Sequence, residues 1–365
     1  MEHSIAHPSK YIDHQDVTII RDAAIEAEEL GMLSASQLKM VYRQKWFKLL
    51  IPQVYTGKQI ALTDLVRLQE AISWADGSIG WVVTLCSGAG WFGGFISPQI
   101  ANFIFKEDNV CLAGSGAADG TAEITDTGYI INGTWKYTSG AYHATHFTAN
   151  CIIKKDGEVV LDDKNEPCIL PFIVDKKDVI LLPTWKYTGM VATGSHSFQI
   201  KNLKVNANRC FRINADYAAV SDRLYQYPFL QLAEATLAVN LSGMAVHFTD
   251  LCHAVFEQKR KQPKLTADNQ HELDKVFALE TDKLHLARNA FFAAVDKSWN
   301  QDQSSVEQLL AVSQTSRALA RQALATVDVL YPYCGLLAAS PDMEINRVWR
   351  DLHTASQHSL LTFAV

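Results

Sequence analysis

The stretch Trp135-Lys136-Tyr137-Thr138-Ser139-Gly140 follows directly on Tyr129-Ile130-Ile131-Asn132-Gly133-Thr134, and here the hydrophobic period changes from helical to strand-like. Read as local structure, it is a β-hairpin, because Asn132-Gly133 accepts the positive φ angles of a tight turn. Residues 147–153, 159–161, 168–174 and 197–205 continue as strands, punctuated by Asp156-Gly157 and Lys201-Asn202. A second loop rich in aromatics and glycine runs Trp185-Lys186-Tyr187-Thr188-Gly189-Met190-Val191-Ala192-Thr193-Gly194-Ser195. Two such loops in one β domain, followed by a late basic helix carrying histidines, point to a site for a flat cofactor.

On either side of this segment the chain reads helical. Ile19, Ile20, Ala23, Ala24, Ala27 and Leu30 recur at helical spacing up to Gly31, and Ser34 with Gln37 forms a capping-box signal for a second helix reaching Phe47. Thr63 is read as the cap of a third helix, ended by Asp76-Gly77, and Ser97-Pro98 opens a short fourth. Beyond Tyr225, Leu237, Leu241, Met244, Phe248, Leu251 and Val255 alternate three and four apart, as do Leu309, Val312, Ser316, Leu319, Ala323, Val327 and Leu330. Val276, Leu284, Ala287, Phe291, Ala294 and Val295 line another face, so three long helices with near-heptad seams predict a bundle. The domains expected are helical over 1–108, a β-barrel or sandwich over 109–212, and a four-helix bundle over 213–365.

Composition narrows the class. With 365 residues, 48% of them hydrophobic and 20% charged, the chain can bury two or three sizeable cores. A net charge of -6 without a dense Lys/Arg block argues against nucleic acid. The 7 cysteines are scattered, never paired as C-x-x-C, which predicts reduced thiols in a cytoplasmic protein without a zinc site. The N-terminal stretch is polar and lacks a secretory pattern. Residues 79–96 are apolar but broken by five glycines, which reads as close-packed buried helix and not as a membrane span.

The order helices, β domain, bundle resembles the acyl-CoA dehydrogenase fold, and the motifs resemble the flavin-dependent monooxygenases built on it. Trp135 to Gly140 is similar to the W-x-x-x-S-G segment of that branch, and Trp185 to Ser195 to its W-x-x-x-G-(M/L)-x-x-T-G-S loop. Arg347-Val348-Trp349-Arg350-Asp351, with His358 beyond it, looks like its R-x-x-R-D segment ending in histidine. Ala75-Asp76-Gly77-Ser78-Ile79-Gly80-Trp81 fits the family's helix junction. The resemblance spans nearly the whole chain. It implies a flavin, as FMN or FAD and including diffusible reduced flavin, with a homotetramer, a small-molecule substrate and a separate flavin reductase. The chain shows no Rossmann G-x-G-x-x-G, placed after a strand and opening a helix, for a nicotinamide of its own.

Site residues follow from that resemblance, each beside a plainer reading. Ser139, with Gly140, would bond the flavin near its reactive edge; alone, it is a turn serine. Trp135 and Trp185 would pack on the ring, or be core tryptophans. Thr193, Gly194 and Ser195 would supply N–H and hydroxyl groups to a phosphate, or simply enter a strand. His358 would act as base on a phenol-like substrate or orient flavin chemistry, its ordinary pKa of about 6.5 suiting that role. His143 and His353 are weaker candidates, and Arg350 with Asp351 reads as a structural ion pair.

Two readings compete with monooxygenation. An acyl-CoA dehydrogenase needs a carboxylate base; the commoner position holds Ser359 here, but Glu234, early in the first bundle helix, stands near the alternative one. A flavin-free oligomer that keeps the fold is the other. It is motivated by Glu257-Gln258-Lys259-Arg260-Lys261-Gln262-Pro263, where relatives carry R-x-x-F-G, and by the short Tyr331-Pro332-Tyr333-Cys334-Gly335. Relatives also continue further past the His358 position than Val365, which implies a short closing tail.

Overall fold

Asp76 shows how the helical block is built: its carboxylate accepts the N–H groups of Ser78 and Ile79, so the residue that stops one helix starts the next. In the computed structural model, which describes residues 5–262, 265–301 and 304–363, six helices precede the sheet. They are α1 (His14–Asp22), α2 (Ala24–Leu30), α3 (Ala35–Arg43), α4 (Leu62–Ala75), α5 (Gly77–Trp91) and α6 (Pro98–Phe105). Pro263 and Val365 lie outside the described residues.

The run expected to form one helix is two, α1 and α2, meeting at Ala23; Gly31, at φ 65°, closes α2 in the left-handed conformation. The Ser34–Gln37 capping box is present, but α3 stops at Arg43 and not at Phe47, because Lys45 turns left-handed at φ 55°. Helix α4 starts after Ala61, ahead of Thr63. Residues 77–91 form the buried helix α5, which lies so close to α4 that a Cβ on Gly80 would come within 2.1 Å of Ser73 Oγ.

The middle of the chain holds β1 (Leu112–Thr125), β2 (Gly128–Thr138), β3 (His146–Lys155), β4 (Glu158–Val159), β5 (Ile169–Asp175), β6 (Ile180–Leu182) and β7 (His196–Asn206). They join in the order β4-β3-β1-β2-β7-β6, with β5 also on β3; β1 and β3 are parallel and the other pairs antiparallel. Asp156-Gly157 makes a tight turn with both φ angles positive. Asn132-Gly133 does not, and this corrects the hairpin reading. Strand β2 runs straight through it, and the reversal lies between Thr125 and Gly128. At Asn132-Gly133 the register against β7 slips, and Asn132 Oδ1 accepts the N–H of Asn202, itself left-handed at φ 48°. The dipeptide serves a bulge. Gly133 is needed because a Cβ there would press on Gly120 Cα at 2.6 Å.

The C-terminal part comprises α7 (Arg223–Gln226), α8 (Phe229–Arg260), α9 (Ala267–Trp299), α10 (Val306–Cys334), α11 (Leu336–Ala339), α12 (Glu344–Ala355) and α13 (Ser359–Thr362). Helix α8 is the axis, touching α4, α5, α9, α10 and α12. It has the length and hydropathy of a membrane-crossing helix, yet 78% of its most apolar window is buried by these neighbours. Arg288 of α9 reaches Glu70 of α4 through two 2.8 Å bonds, both side chains almost fully buried, which ties the bundle to the N-terminal helices.

Candidate active site

Helix α5 carries the site. Trp81, Leu85, Gly88 and Phe92 follow at spacings of four, three and four, and the last three are only half-buried although the helix is otherwise inside. A Cβ on Gly88 would meet nothing within 4 Å, so this apolar stripe faces open space. At one end of it the His358 ring stands edge-on to Trp81, centroids 5.9 Å apart. His358 caps α13, its Nδ1 accepting the Leu360 N–H at 3.4 Å, which leaves Nε2 free of that duty. Burial pushes its pKa down, so the imidazole is neutral at neutral pH.

The flank of the same helix holds the first loop. Gly140, at φ 75°, lies so close to α5 that a Cβ would meet Cys86 Sγ at 2.6 Å and Val82 at 3.4 Å. Cys86 Sγ also reaches the Ser139 carbonyl at 3.7 Å. From Trp81 to Cys86 is ~7.5 Å along the helix. Ser139 and His358 share no hydrogen bond among the described residues; both border α5, at Cys86 and Trp81, which lie about 140° apart around the helix.

The second loop folds onto the first. Gly140 N–H donates to the Thr193 carbonyl at 2.9 Å, and the hydroxyls of Ser139, Ser195 and Thr193 form a buried chain with steps of 2.8 and 2.7 Å. Ser139, Gly140, Thr193, Gly194 and Ser195 are thus one cluster. The Thr193 and Ser195 hydroxyls bond within the protein, so they organise Ser139 and are not free to hold a phosphate. Beside them Thr138 Oγ1 is buried and has no partner among the described residues. Such an orphan fits a bound polar group that completes it.

The tryptophans separate. Trp135 is 0% exposed, its ring stacked on Phe198 at 5.0 Å and its indole N–H given to the Asn150 carbonyl. It fills the β domain and offers no face to a ligand, which corrects its reading as a ring platform. Trp185 donates its indole N–H to the Met190 carbonyl and packs against Tyr187 at 4.1 Å and Tyr137 at 6.4 Å. Tyr137 and Tyr187 are exposed, making an aromatic wall outside the hydroxyl chain.

Other expectations change too. Arg350 and Asp351 are not a pair: Arg350 bonds Glu28 and the Thr188 carbonyl, while Asp351 accepts the Met190 N–H. Asp351 sits in a gap without room for a water molecule, with Asp76, Ser78, Glu28 and Arg347. Burial, then the nearby Asp76 carboxylate, pushes its pKa up to about 7. Glu234 is fully buried, bound by the Arg317 guanidinium and the Ser313 hydroxyl of α10. A carboxylate so enclosed is a clamp between helices and cannot reach a substrate. His143 accepts the Leu33 N–H at 3.2 Å, and His353 bonds Asp328; both are structural. The cleft of about 700 Å³ on α3 is lined by none of these residues. The α5 stripe and Asp351 are what sequence reading missed. The three-and-four spacing of Trp81, Leu85, Gly88 and Phe92 was the available signal.

The comparisons agree with this fold. Residues 225–363 match the family model described as acyl-CoA dehydrogenase, C-terminal domain. The oxygenase subunit HsaA of a flavin-dependent monooxygenase from Rhodococcus jostii (strain RHA1) is 24% identical, the match covering 93% of this chain and 91% of that one. An indole-3-acetate monooxygenase from Acinetobacter baumannii is 22% identical over 93% and 87% of the two chains. The crystal structure of the 3-HSA hydroxylase from Rhodococcus sp. RHA1 superposes with a TM-score of 0.89 at 20% identity, covering 98% of this chain and 93% of that one. Residues 225–363 thus match the acyl-CoA dehydrogenase C-terminal domain, and over nearly its whole length the chain is similar to oxygenase subunits of flavin-dependent monooxygenases.

Proposed function

We propose that this protein is the oxygenase component of a two-component monooxygenase, using reduced flavin from a separate reductase and oxygen to hydroxylate a small aromatic molecule. The observation that carries the reading is the α5 platform. It sets a neutral buried imidazole, an open apolar stripe and the Ser139 hydroxyl cluster against one helix, while Glu234, the dehydrogenase base, is consumed by Arg317.

Bound reduced flavin would supply the electrons that activate oxygen. Ser139, Gly140 and the orphaned Thr138 hydroxyl would hold the ring's polar edge, and Trp185 with its tyrosines would cover a face. Trp81, Leu85, Gly88 and Phe92 would bind the flat apolar substrate and exclude water, which protects reactive flavin species from wasteful decay. His358 would take the proton from a phenol-like hydroxyl; buried and neutral, it is ready to accept one. Two of the three cations of the 257–262 segment are used internally, Lys259 by the Tyr333 carbonyl and Arg260 by Glu257 and Asp274. This supports a site that grips the isoalloxazine more than an adenosine tail, with FMN and FAD both accepted. Exposed Leu279, Leu286, Leu310, Val329 and Leu336 on the outer bundle face support assembly, as a homotetramer, and the unpaired thiols support a cytoplasmic setting.

The test is to mix protein with chemically reduced flavin and then with oxygen, scoring label from ¹⁸O₂ in a panel of phenols and indoles. Labelled hydroxylated product supports the proposal. Flavin bleaching by an acyl-CoA, or absence of any flavin binding, would overturn it.

A further inference from the structure

We infer that Asp351 is a positioning residue: by holding the backbone conformation of Met190 it sets the direction of the Thr193–Ser195–Ser139 hydroxyl chain, so that Ser139 faces its ligand as an acceptor and selects a ring bearing an N–H. This rests on the proposed function, in which Ser139 meets the flavin.

The argument begins at Met190, a non-glycine residue held in the left-handed region at φ 54°. Both backbone polar groups of this residue, in the two peptide groups that flank it, are engaged. Its N–H donates to Asp351 Oδ1 at 2.5 Å. Its carbonyl accepts from Trp185 Nε1 at 2.9 Å, from Thr193 Oγ1 at 2.7 Å and from Thr193 N at 3.1 Å. Asp351 is 3% exposed, and its helix lies directly on the loop, since a Cβ on Gly189 would fall 2.1 Å from the Arg350 carbonyl.

Direction then follows by elimination. A carbonyl cannot donate, so the single proton of Thr193 Oγ1 points to Met190. Towards Ser195, 2.7 Å away, Thr193 can only accept, so the Ser195 proton is spent there. Ser195 must therefore accept from Ser139 across 2.8 Å. Ser139 is left with lone pairs and no proton to offer. A ligand atom facing it has to bring its own hydrogen. Reduced flavin carries a ring N–H at the position where oxidised flavin has a bare acceptor nitrogen, so the chain favours the reduced form. Without Asp351 to hold its N–H, Met190 loses an anchor of its left-handed backbone, its carbonyl can turn from Thr193, and Thr193 no longer fixes the order.

The test reads binding, not turnover: dissociation constants for oxidised and dithionite-reduced FMN, titrated anaerobically on the full-length protein. Wild type is expected to prefer the reduced form. In Thr193→Val and Asp351→Ala the ratio of oxidised to reduced constants should fall about three- to tenfold, the worth of one neutral hydrogen bond. Thr193→Ser should keep the wild-type ratio. Thr193→Val is nearly isosteric and remains informative if Asp351→Ala fails to fold. Wild-type preference that persists unchanged in folded Thr193→Val overturns this inference alone. Wild-type protein that binds neither form overturns the functional reading and the inference with it.

Discussion

Removing Glu234 separates a helix clamp from a catalytic base. The carboxylate is 0% exposed and the Arg317 side chain 12% exposed, with the Ser313 hydroxyl as the third member. Glu234→Leu strands a guanidinium beside an apolar neighbour, and breaking such a pair from one side costs about 3–5 kcal/mol. At about 2.1 cal/mol/K of unfolding entropy per residue, a chain of 365 residues has a slope of ~0.8 kcal/mol/K, so the melting midpoint should drop by about 4–7 °C. The double variant Glu234→Leu/Arg317→Leu removes both charges and should recover most of that loss, because the desolvation cost of the pair disappears with it. Differential scanning calorimetry on the two single variants and the double variant measures the coupling directly. The reasoning fails if Glu234→Leu melts within about one degree of wild type. It fails equally if the double variant is no better than the worse single one. A base for α-proton removal would show the opposite pattern, with stability intact and acyl-CoA turnover abolished in Glu234→Gln.

Three further outcomes are expected. His358→Ala should lower hydroxylation by about 10²-fold while flavin binding, measured by fluorescence titration, stays intact. In wild type the step that needs neutral His358 should persist below pH 6.5 before failing, because burial has lowered the imidazole pKa. Gly88→Leu should raise the KM for an aromatic substrate about tenfold without lowering the melting temperature, since the new side chain enters open space and leucine is the better helix former by ~0.8 kcal/mol. His143, whose pKa burial pushes down to about 4, stabilises the fold only while neutral. That contribution is complete above the ordinary value and is lost as pH falls through the folded one. It predicts about 2 kcal/mol less stability at pH 5 than at pH 7 in urea titrations, and a flatter profile in His143→Gln.

Local rules made much of the fold legible. Ser34 and Gln37 are three residues apart, so a capping box needs nothing from the rest of the chain, and it forms as read. Asp156-Gly157 turns for the same reason. Asn132-Gly133 has the same local credentials and yet runs straight through β2, because Asn202, Gly120 and Trp135 close around it. Asn202 and Gly120 are distant in sequence, and no local propensity contains them. The site divides along the same line. The two loops were visible as composition, and the family resemblance paired them with His358. That Ser139, Ser195 and Thr193 touch, that Trp135 is sealed inside the sheet, and that Asp351 serves Met190 in place of Arg350 are facts of tertiary closure.

Helix α5 shows the limit most plainly, because two of its glycines have opposite meanings. Gly80 is small because Ser73 of the neighbouring helix leaves no room; a Cβ there would fall 2.1 Å from its hydroxyl oxygen. Gly88, two turns on, has no neighbour within 4 Å of where a Cβ would be. One glycine lets two helices meet, and the other leaves open space beside Leu85 and Phe92. In the sequence both appear only as interruptions of an apolar run. The difference between a packing glycine and a pocket glycine lies in what surrounds it, so a substitution that is destructive at Gly80 is tolerated by the fold at Gly88 and felt by the substrate.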